Sequence, residues 1–301
     1  MTSRKEPMIH WFFDSLHSQC GGNYDGINLV IVDFHADDDG RKEDFASKFR
    51  GPKEKLKHVT PKPTVWQGKH RLTKQNWFAA ANARNTALCL APDGHICYVD
   101  DLSVLMPGWY NAMLEGVARG GLTFGAYRKV KELTVEPETG VVTHHVDHPP
   151  GADTRIGGNG PVGCGGRWLY GSSLVGPVES FLITGGWPEA LCDSLSFEDC
   201  VMGKMLETHR VPMCYDRRMM TWESEEHHFI GERMRREDYG KSPNDKSHKV
   251  LELSNGLKYH PNYFGDEGIR GLRARVLSGE PFPVMTVPEN EWYTGKFLRD
   301  L

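Results

Sequence analysis

Apolar residues fall along this chain in two alternating rhythms. Ile9, Phe12, Phe13 and Leu16 recur at helical spacing before the Gly21-Gly22 break, which predicts a helix. Leu29 to Val32 is a short, β-branched run ending in Asp33, the pattern of a buried strand. Lys42 to Lys62 is charged and Pro-bearing, predicting a helix and then an exposed loop. Gln75 to Leu90 carries Trp77, Ala80, Ala81, Arg84 and Leu88 on helical spacings, and His95 to Val99 predicts a second buried strand, stopping at Asp100-Asp101. Pro107-Gly108-Trp109 opens a helix over about Tyr110 to Ala118, with Pro near its first turn. Glu136 to Gly176 is rich in Gly, Pro and His and predicts loop or hairpin; Phe197 to His209 and Ile269 to Leu277 predict two more helices. Lys241 to Lys249 reads as an exposed loop, and a Pro-punctuated tail with Trp292, Tyr293 and Phe297 is expected to pack back onto the main body.

Strands alternating with helices predict an α/β/α sandwich with a mainly parallel central sheet. Ligands of such sheets sit at the carboxyl ends of strands. Two predicted strands deliver aspartates there, Asp33 and the Asp100-Asp101 pair.

Composition narrows the function classes. The 301 residues are 39% hydrophobic and 25% charged, with 36 Lys plus Arg against 40 Asp plus Glu, a formal net charge of −4. That is a globular recipe without the global basic field of a general DNA binder. The seven cysteines are scattered and form no C-x-x-C pair, which predicts buried thiols in a reducing compartment rather than a zinc ribbon or redox pair. No apolar run approaches the roughly 18 residues of a membrane span, and no signal-peptide core follows Met1. A soluble, cytoplasmic protein is expected.

Adjacent carboxylates at a strand end cannot both be buried without a cation or strong donors. Asp100 and Asp101 therefore either hold a divalent metal through oxygen, as manganese or magnesium prefers, or divide into a turn cap and a solvated side chain. Ser196 can cap a helix whose first turn holds Glu198 and Asp199. Alternatively, one of those carboxylates is a general base. His227 and His228 form either an exposed pair or a metal ligand, while His144, His145 and His148 with Asp147 read as a polar loop. Gly158-Asn159-Gly160-Pro161-Val162-Gly163 fits the dinucleotide-binding fingerprint formally, but it follows a Pro-rich loop and Pro161 opposes the required helix. Lys69, His70, Arg71 and Lys74 could touch phosphates or form a solvated helix start.

Taken in order, these pieces resemble the family-2-type glycosyltransferases of the GT-A fold. The resemblance rests on Val30-Ile31-Val32-Asp33, Ala83-Arg84-Asn85, Tyr98-Val99-Asp100-Asp101 with Pro107-Gly108-Trp109, Gly185-Gly186-Trp187-Pro188-Glu189 and Phe197-Glu198-Asp199. It covers roughly residues 1 to 228, implying a catalytic domain there and a C-terminal extension over 229 to 301.

The resemblance implies a metal-dependent transfer of a sugar, with inversion, from a nucleoside diphosphate donor to an acceptor hydroxyl. Uridine diphosphate sugars are the usual donors. The acceptor is a glycan, a lipid-linked sugar, a protein or a modified nucleobase in DNA. It places Asp33 against the nucleotide base, Arg84 near the nucleotide phosphates, and Asp100 and Asp101 on a Mn2+ or Mg2+ ion, with His227 or His228 as a further ligand. Asp199 of the Glu198-Asp199 pair becomes the general base. Trp187, beside Gly186, and Trp168 are the aromatic candidates for an acceptor sugar.

Two departures bear on this. Leu102 stands where a third acidic residue is usual, so metal coordination is expected to rest mainly on Asp101. Phe34 replaces a common second Asp, with Asp37 the nearby substitute. The family's first strand is expected to be missing or very short, because Thr2 to Pro7 already resembles its junction with the first helix. A catalytically degenerate sugar-nucleotide binder and a nucleotidyltransferase are the rival readings.

Overall fold

The computed structural model describes residues 1–2, 4–63, 80–153, 155, 160–171, 173–189, 198–228 and 267–283. Trp66, Trp77, the Lys69–Lys74 cluster, Ser196, Phe197, the His228 side chain, Gly158 and Asn159, the Lys241–Lys249 loop and the Trp292-bearing tail lie outside that description. The architecture is mixed α/β around a central sheet. The elements run α1 (Ile9–Gln19), β1 (Leu29–Val32), α2 (Arg41–Lys48), β2 (Leu56–Val59), α3 (Ala80–Leu90), β3 (His95–Val99), β4 (Ser103–Leu105), α4 (Trp109–Arg119) and β5 (Leu122–Val135). They continue with β6 (Val142–Ala152), β7 (Val162–Gly163), β8 (Ser173–Pro177), α5 (Val178–Leu182), α6 (Glu198–Thr208), β9 (Met213–Ser224), α7 (Glu225–His228) and α8 (Gly268–Leu277).

The sheet is less parallel than expected. Its strands run in the order β3-β8-β5-β9-β4, with β6 beside β5 and β7 beside β9. Among the described residues, β5 and β9 are the one parallel pairing within it; β1 and β2 form a separate parallel pair. The reason is local: β3 returns through β8, and β5 folds back on itself as the β5-β6 hairpin, both antiparallel pairings. The predicted loop of Lys42–Lys62 thus contains a strand, β2, and the predicted loop or hairpin of Glu136–Gly176 contains β6. His144, His145 and His148 sit on that strand rather than on a loop.

Near the start of the chain, Thr2 forms an isolated parallel bridge with Asp33. Its hydrogen bonds run from the Thr2 N–H to the Val32 carbonyl at 2.9 Å and from the Phe34 N–H to the Thr2 carbonyl at 3.1 Å.

Both faces of the central sheet are covered. Leu174 and Val175 are neighbours on β8 and point to opposite sides. Leu174 joins a core with Leu88, Phe124, Phe181, Trp187, Met202 and Leu206, while Val175 joins one with Ile9, Phe13, Phe45, Trp109 and Ala112. From α8, Ile269 and Leu272 are buried in the first of these cores, so part of the C-terminal region packs on the main body. The described cysteines are free thiols, and Cys89 is the buried one among them. Among the described residues, no helix is long and apolar enough to cross a membrane.

Candidate active site

Arg84 is the hub. It lies on α3, a helix buried from Ala81 to Cys89, and its side chain is only 3% exposed. One guanidinium nitrogen donates to Glu198 Oε1, at the start of α6, and the other lies 3.7 Å from Asp100 Oδ1, at the end of β3. Glu198 and Asp100, far apart in sequence, thus meet across one arginine. Burial alone would lower the Arg84 pKa, yet Glu198, Asp100 and Asp199 raise it, so the guanidinium stays charged.

Asp199 sits beside this bridge. Its carboxylate accepts from the Gly171 N–H at 3.0 Å and from its own helix at the Cys200 N–H, 2.7 Å. Burial, with the Glu198 charge adding, pushes its pKa up to about 6 against the pull of Arg84 and those two N–H groups. A carboxylate poised there is ionised at neutral pH and still basic enough to take a proton.

The two aspartates of the pair divide their roles. Asp101 is 8% exposed and already satisfied by Arg4 Nε at 2.9 Å and the Thr2 hydroxyl at 2.7 Å. The Asp100 side chain is 34% exposed. Crowding by protein nonetheless raises its pKa, against Arg84. The open carboxylate of the pair is thus Asp100, whereas the sequence put metal coordination mainly on Asp101.

Asp33 is held by donors from its own chain. It is fully buried and accepts from Arg41 Nε at 2.7 Å, the His35 N–H at 2.9 Å and the ring of His58 at 3.0 Å. Burial alone would raise its pKa, but these hydrogen bonds outweigh it and the pKa is lowered. Arg41 in turn donates to the carbonyls of Lys5 at 2.6 Å and Arg4 at 2.7 Å, so Asp33 anchors the segment that presents Arg4 to Asp101.

Trp187 and Gly186 are built into the protein interior. The Trp187 ring is wholly buried, stacked on Phe181 at 5.8 Å, with the Arg84 guanidinium 4.5 Å from its centroid. It is the bed on which Arg84 lies. Gly186 has φ +87°, and a Cβ there would come within 2.5 Å of Ile269 and 2.7 Å of the Asn85 side chain. Asn85 reads this turn directly, donating to the Trp187 carbonyl at 2.9 Å and accepting from the Trp187 N–H at 2.7 Å. Glu189 closes it, bound to Asn85 at 2.6 Å and Lys62 at 2.8 Å. The Gly-Gly-Trp-Pro-Glu motif thus locks to α3 and fixes Arg84. Trp168 is half-buried, its ring 5.5 Å from that of Tyr215.

Glu223 escaped the sequence reading. It lies on β9 opposite Ser103 of β4 and Lys129 of β5. Burial pushes its pKa up to about 7; Lys129 opposes this, and Asp100 and Asp101 add to it. No motif marks it, and only the strand register brings it to the aspartates.

The His227 ring lies 2.9 Å from the Ser224 hydroxyl and edge-on to Trp11 at 5.1 Å, and its carbonyl accepts from Arg4, the partner of Asp101, at 3.4 Å. Among the described residues, no three His, Cys, Asp or Glu side chains gather to hold a metal ion. What remains, one open carboxylate with a neutralised neighbour, fits a Mg2+- or Mn2+-type ion bound by one or two carboxylates and completed by substrate phosphates and water.

No family model and no curated protein matches the chain. Among solved structures, the mannosyltransferase PcManGT from Pyrobaculum calidifontis, in complex with GDP-Man and Mn2+, is similar at a TM-score of 0.45 and 14% identity, over 76% of this chain and 55% of that one. GalNAc-T7 with UDP, GalNAc and Mn2+ is similar at a TM-score of 0.48 and 12% identity, over 95% of this chain and 53% of that one. The chain spans about half the length of each.

Proposed function

We propose that this chain is a glycosyltransferase. It moves a hexosyl or pentosyl unit from a nucleoside diphosphate donor, best read as a uridine diphosphate sugar, to an acceptor hydroxyl with inversion. The observation that carries the reading is the Arg84 bridge, which brings the strand-end carboxylate Asp100 and the helix-start pair Glu198-Asp199 to one site. Asp100, with Asp101 behind it, would hold the metal through the donor phosphates. A bound divalent ion supplies Lewis-acid stabilisation of charge on the departing nucleoside diphosphate.

The chain's own residues do the rest. Asp199 takes the proton of the acceptor hydroxyl, a role its position at the head of α6 and its raised pKa both suit. Glu198 holds Arg84 and so keeps a cation beside the donor phosphates without itself handling the proton. Half-buried Trp168 and Tyr170, on the segment that reaches Asp199, form the acceptor side. Residues 1–228 make the catalytic domain, and 229–301 its extension.

A thermal-shift panel tests this. Uridine diphosphate should raise the melting temperature only with Mn2+ or Mg2+ present, and Asp100→Ala should abolish the shift. Asp199→Ala should keep the shift and lose transfer. A shift without turnover in the unmodified protein makes it a binder, pyrophosphate release from a nucleoside triphosphate makes it a nucleotidyltransferase, and either result overturns the reading.

A further inference from the structure

Gly171 touches both halves of the proposed chemistry. Its N–H donates to Asp199 at 3.0 Å, and its carbonyl accepts from Arg84 at 3.4 Å. A glycine has no side chain with which to hold that position, so something else must.

The segment before it carries the answer. Arg155 donates through one nitrogen to the Trp168 carbonyl at 2.6 Å and through another to the Gly125 carbonyl, on β5, at 2.7 Å. Its Nε contacts both carboxylate oxygens of Asp153, at 2.8 and 2.9 Å. The guanidinium also lies 4.5 Å from the centroid of Tyr170 and 4.6 Å from that of Tyr215. The side chain is 5% exposed. The carbonyl it reaches lies where the β5–β9 ladder shifts register, between Gly125 and Ala126. A guanidinium presents several donors in a rigid plane and stacks on aromatic faces, so one residue can join a strand to a loop from two sides.

We propose that Arg155 is a positioning residue for Asp199: it pins the Trp168–Tyr170 segment to β5 and thereby aims the Gly171 N–H at the Asp199 carboxylate. The inference rests on the reading of Asp199 as the base. Asp153 neutralises the buried guanidinium and the tyrosines fix its plane, so that the N–H and carbonyl of Gly171, directly after Tyr170, arrive already oriented.

The test is a carboxyl-carbon NMR titration of the full chain labelled at aspartate, which needs no turnover. In the unmodified protein Asp199 should titrate near 6. Arg155→Ala should move it upward by roughly half a unit or more, because a hydrogen bond to the charged form is lost. Arg155→Lys keeps the charge but loses the fork, and should move it the same way. Arg273→Ala removes another arginine, bound to Ala91 and Asp93, and should leave the midpoint in place. A folded Arg155→Ala with the original midpoint overturns the inference, and if that variant does not fold, Arg155→Lys decides in the same terms. Where transfer is measured, the acid limb of kcat should follow the NMR midpoint while the donor KM stays put. Absence of transfer in the unmodified protein sinks the proposed function alone, since the midpoints still decide the positioning.

Discussion

At the residue scale, the site turns on how few cations hold many buried acids. Arg84 faces Asp100, Glu198 and Asp199, and removing its charge leaves the two less accessible acids, Glu198 and Asp199, without their cation. Breaking one partner of a buried ion pair costs about 3–5 kcal/mol, far more than a surface pair is worth. Arg84→Met should therefore lower stability by about that much in urea titration, and a loss below about 1 kcal/mol would refute the buried hub. Protonation supplies a second check. Asp199 and Glu223 have folded pKa values raised from an ordinary 3.8 and 4.5 to about 6 and about 7. A raised folded pKa contributes stability that is fully present below the unfolded value and is lost as pH rises through the folded one. Stability should thus fall between about pH 4 and 7, and Asp199→Asn with Glu223→Gln should flatten that slope in urea midpoints taken across the range. Asp33 works the other way, its lowered pKa adding stability that disappears only in acid.

At the scale of elements, the interlock of α6 with the loop that carries Trp168 makes a prediction in which two effects have opposite signs. Gly203 sits mid-helix in α6, where Ala normally gains about 1 kcal/mol over Gly. Here, however, a Cβ would overlap the backbone carbonyl of Gly166, which cannot rotate away. Gly203→Ala should destabilise by about 1–3 kcal/mol and weaken transfer by shifting Asp199 against Gly171; a stabilised variant would show that the two backbones do not touch. This contact also shows where the sequence stops being informative. Helices α1, α4, α6 and α8 and strands β1 and β3 stand at or near their expected bounds, because each has its own periodicity or strand-end signal. Asp100, Glu198 and Asp199 stood out in the sequence for the same reason, each at the end of a recognisable element. Strand β2, Leu-Lys-His-Val, was not, since its polar residues mask a pairing that only β1 supplies. Glu223 and Gly171 were invisible because their significance lies in the cross-strand register and in one backbone N–H. Trp187 was legible as important but not in its role: stacking under a cation and stacking on a sugar ask for the same residue.

At the scale of the whole molecule, the question is whether the C-terminal region is a separate unit or part of the catalytic body. Ile269 and Leu272 are 3% and 2% exposed, within the core that also holds Leu88, Phe124 and Trp187. Arg273 reaches back to the Ala91 carbonyl and to Asp93, both at 2.8 Å, just past the end of α3. Ile269 also abuts the Gly186 turn, whose Trp187 supports Arg84. A path of direct contacts thus runs from α8 through that turn to the proposed site. Truncating a buried aliphatic side chain costs about 2–5 kcal/mol, combining lost transfer energy with the cavity left behind. Ile269→Ala should lower the urea midpoint accordingly, and because the cavity opens behind Trp187 it should also weaken the metal-dependent uridine diphosphate shift. Tryptophan fluorescence and far-ultraviolet circular dichroism should trace one coincident transition in the unmodified chain, as a shared core requires. Two separated transitions, with Ile269→Ala moving only one and sparing nucleotide binding, would mean that α8 belongs to an independent unit and that the link to Arg84 is not energetic.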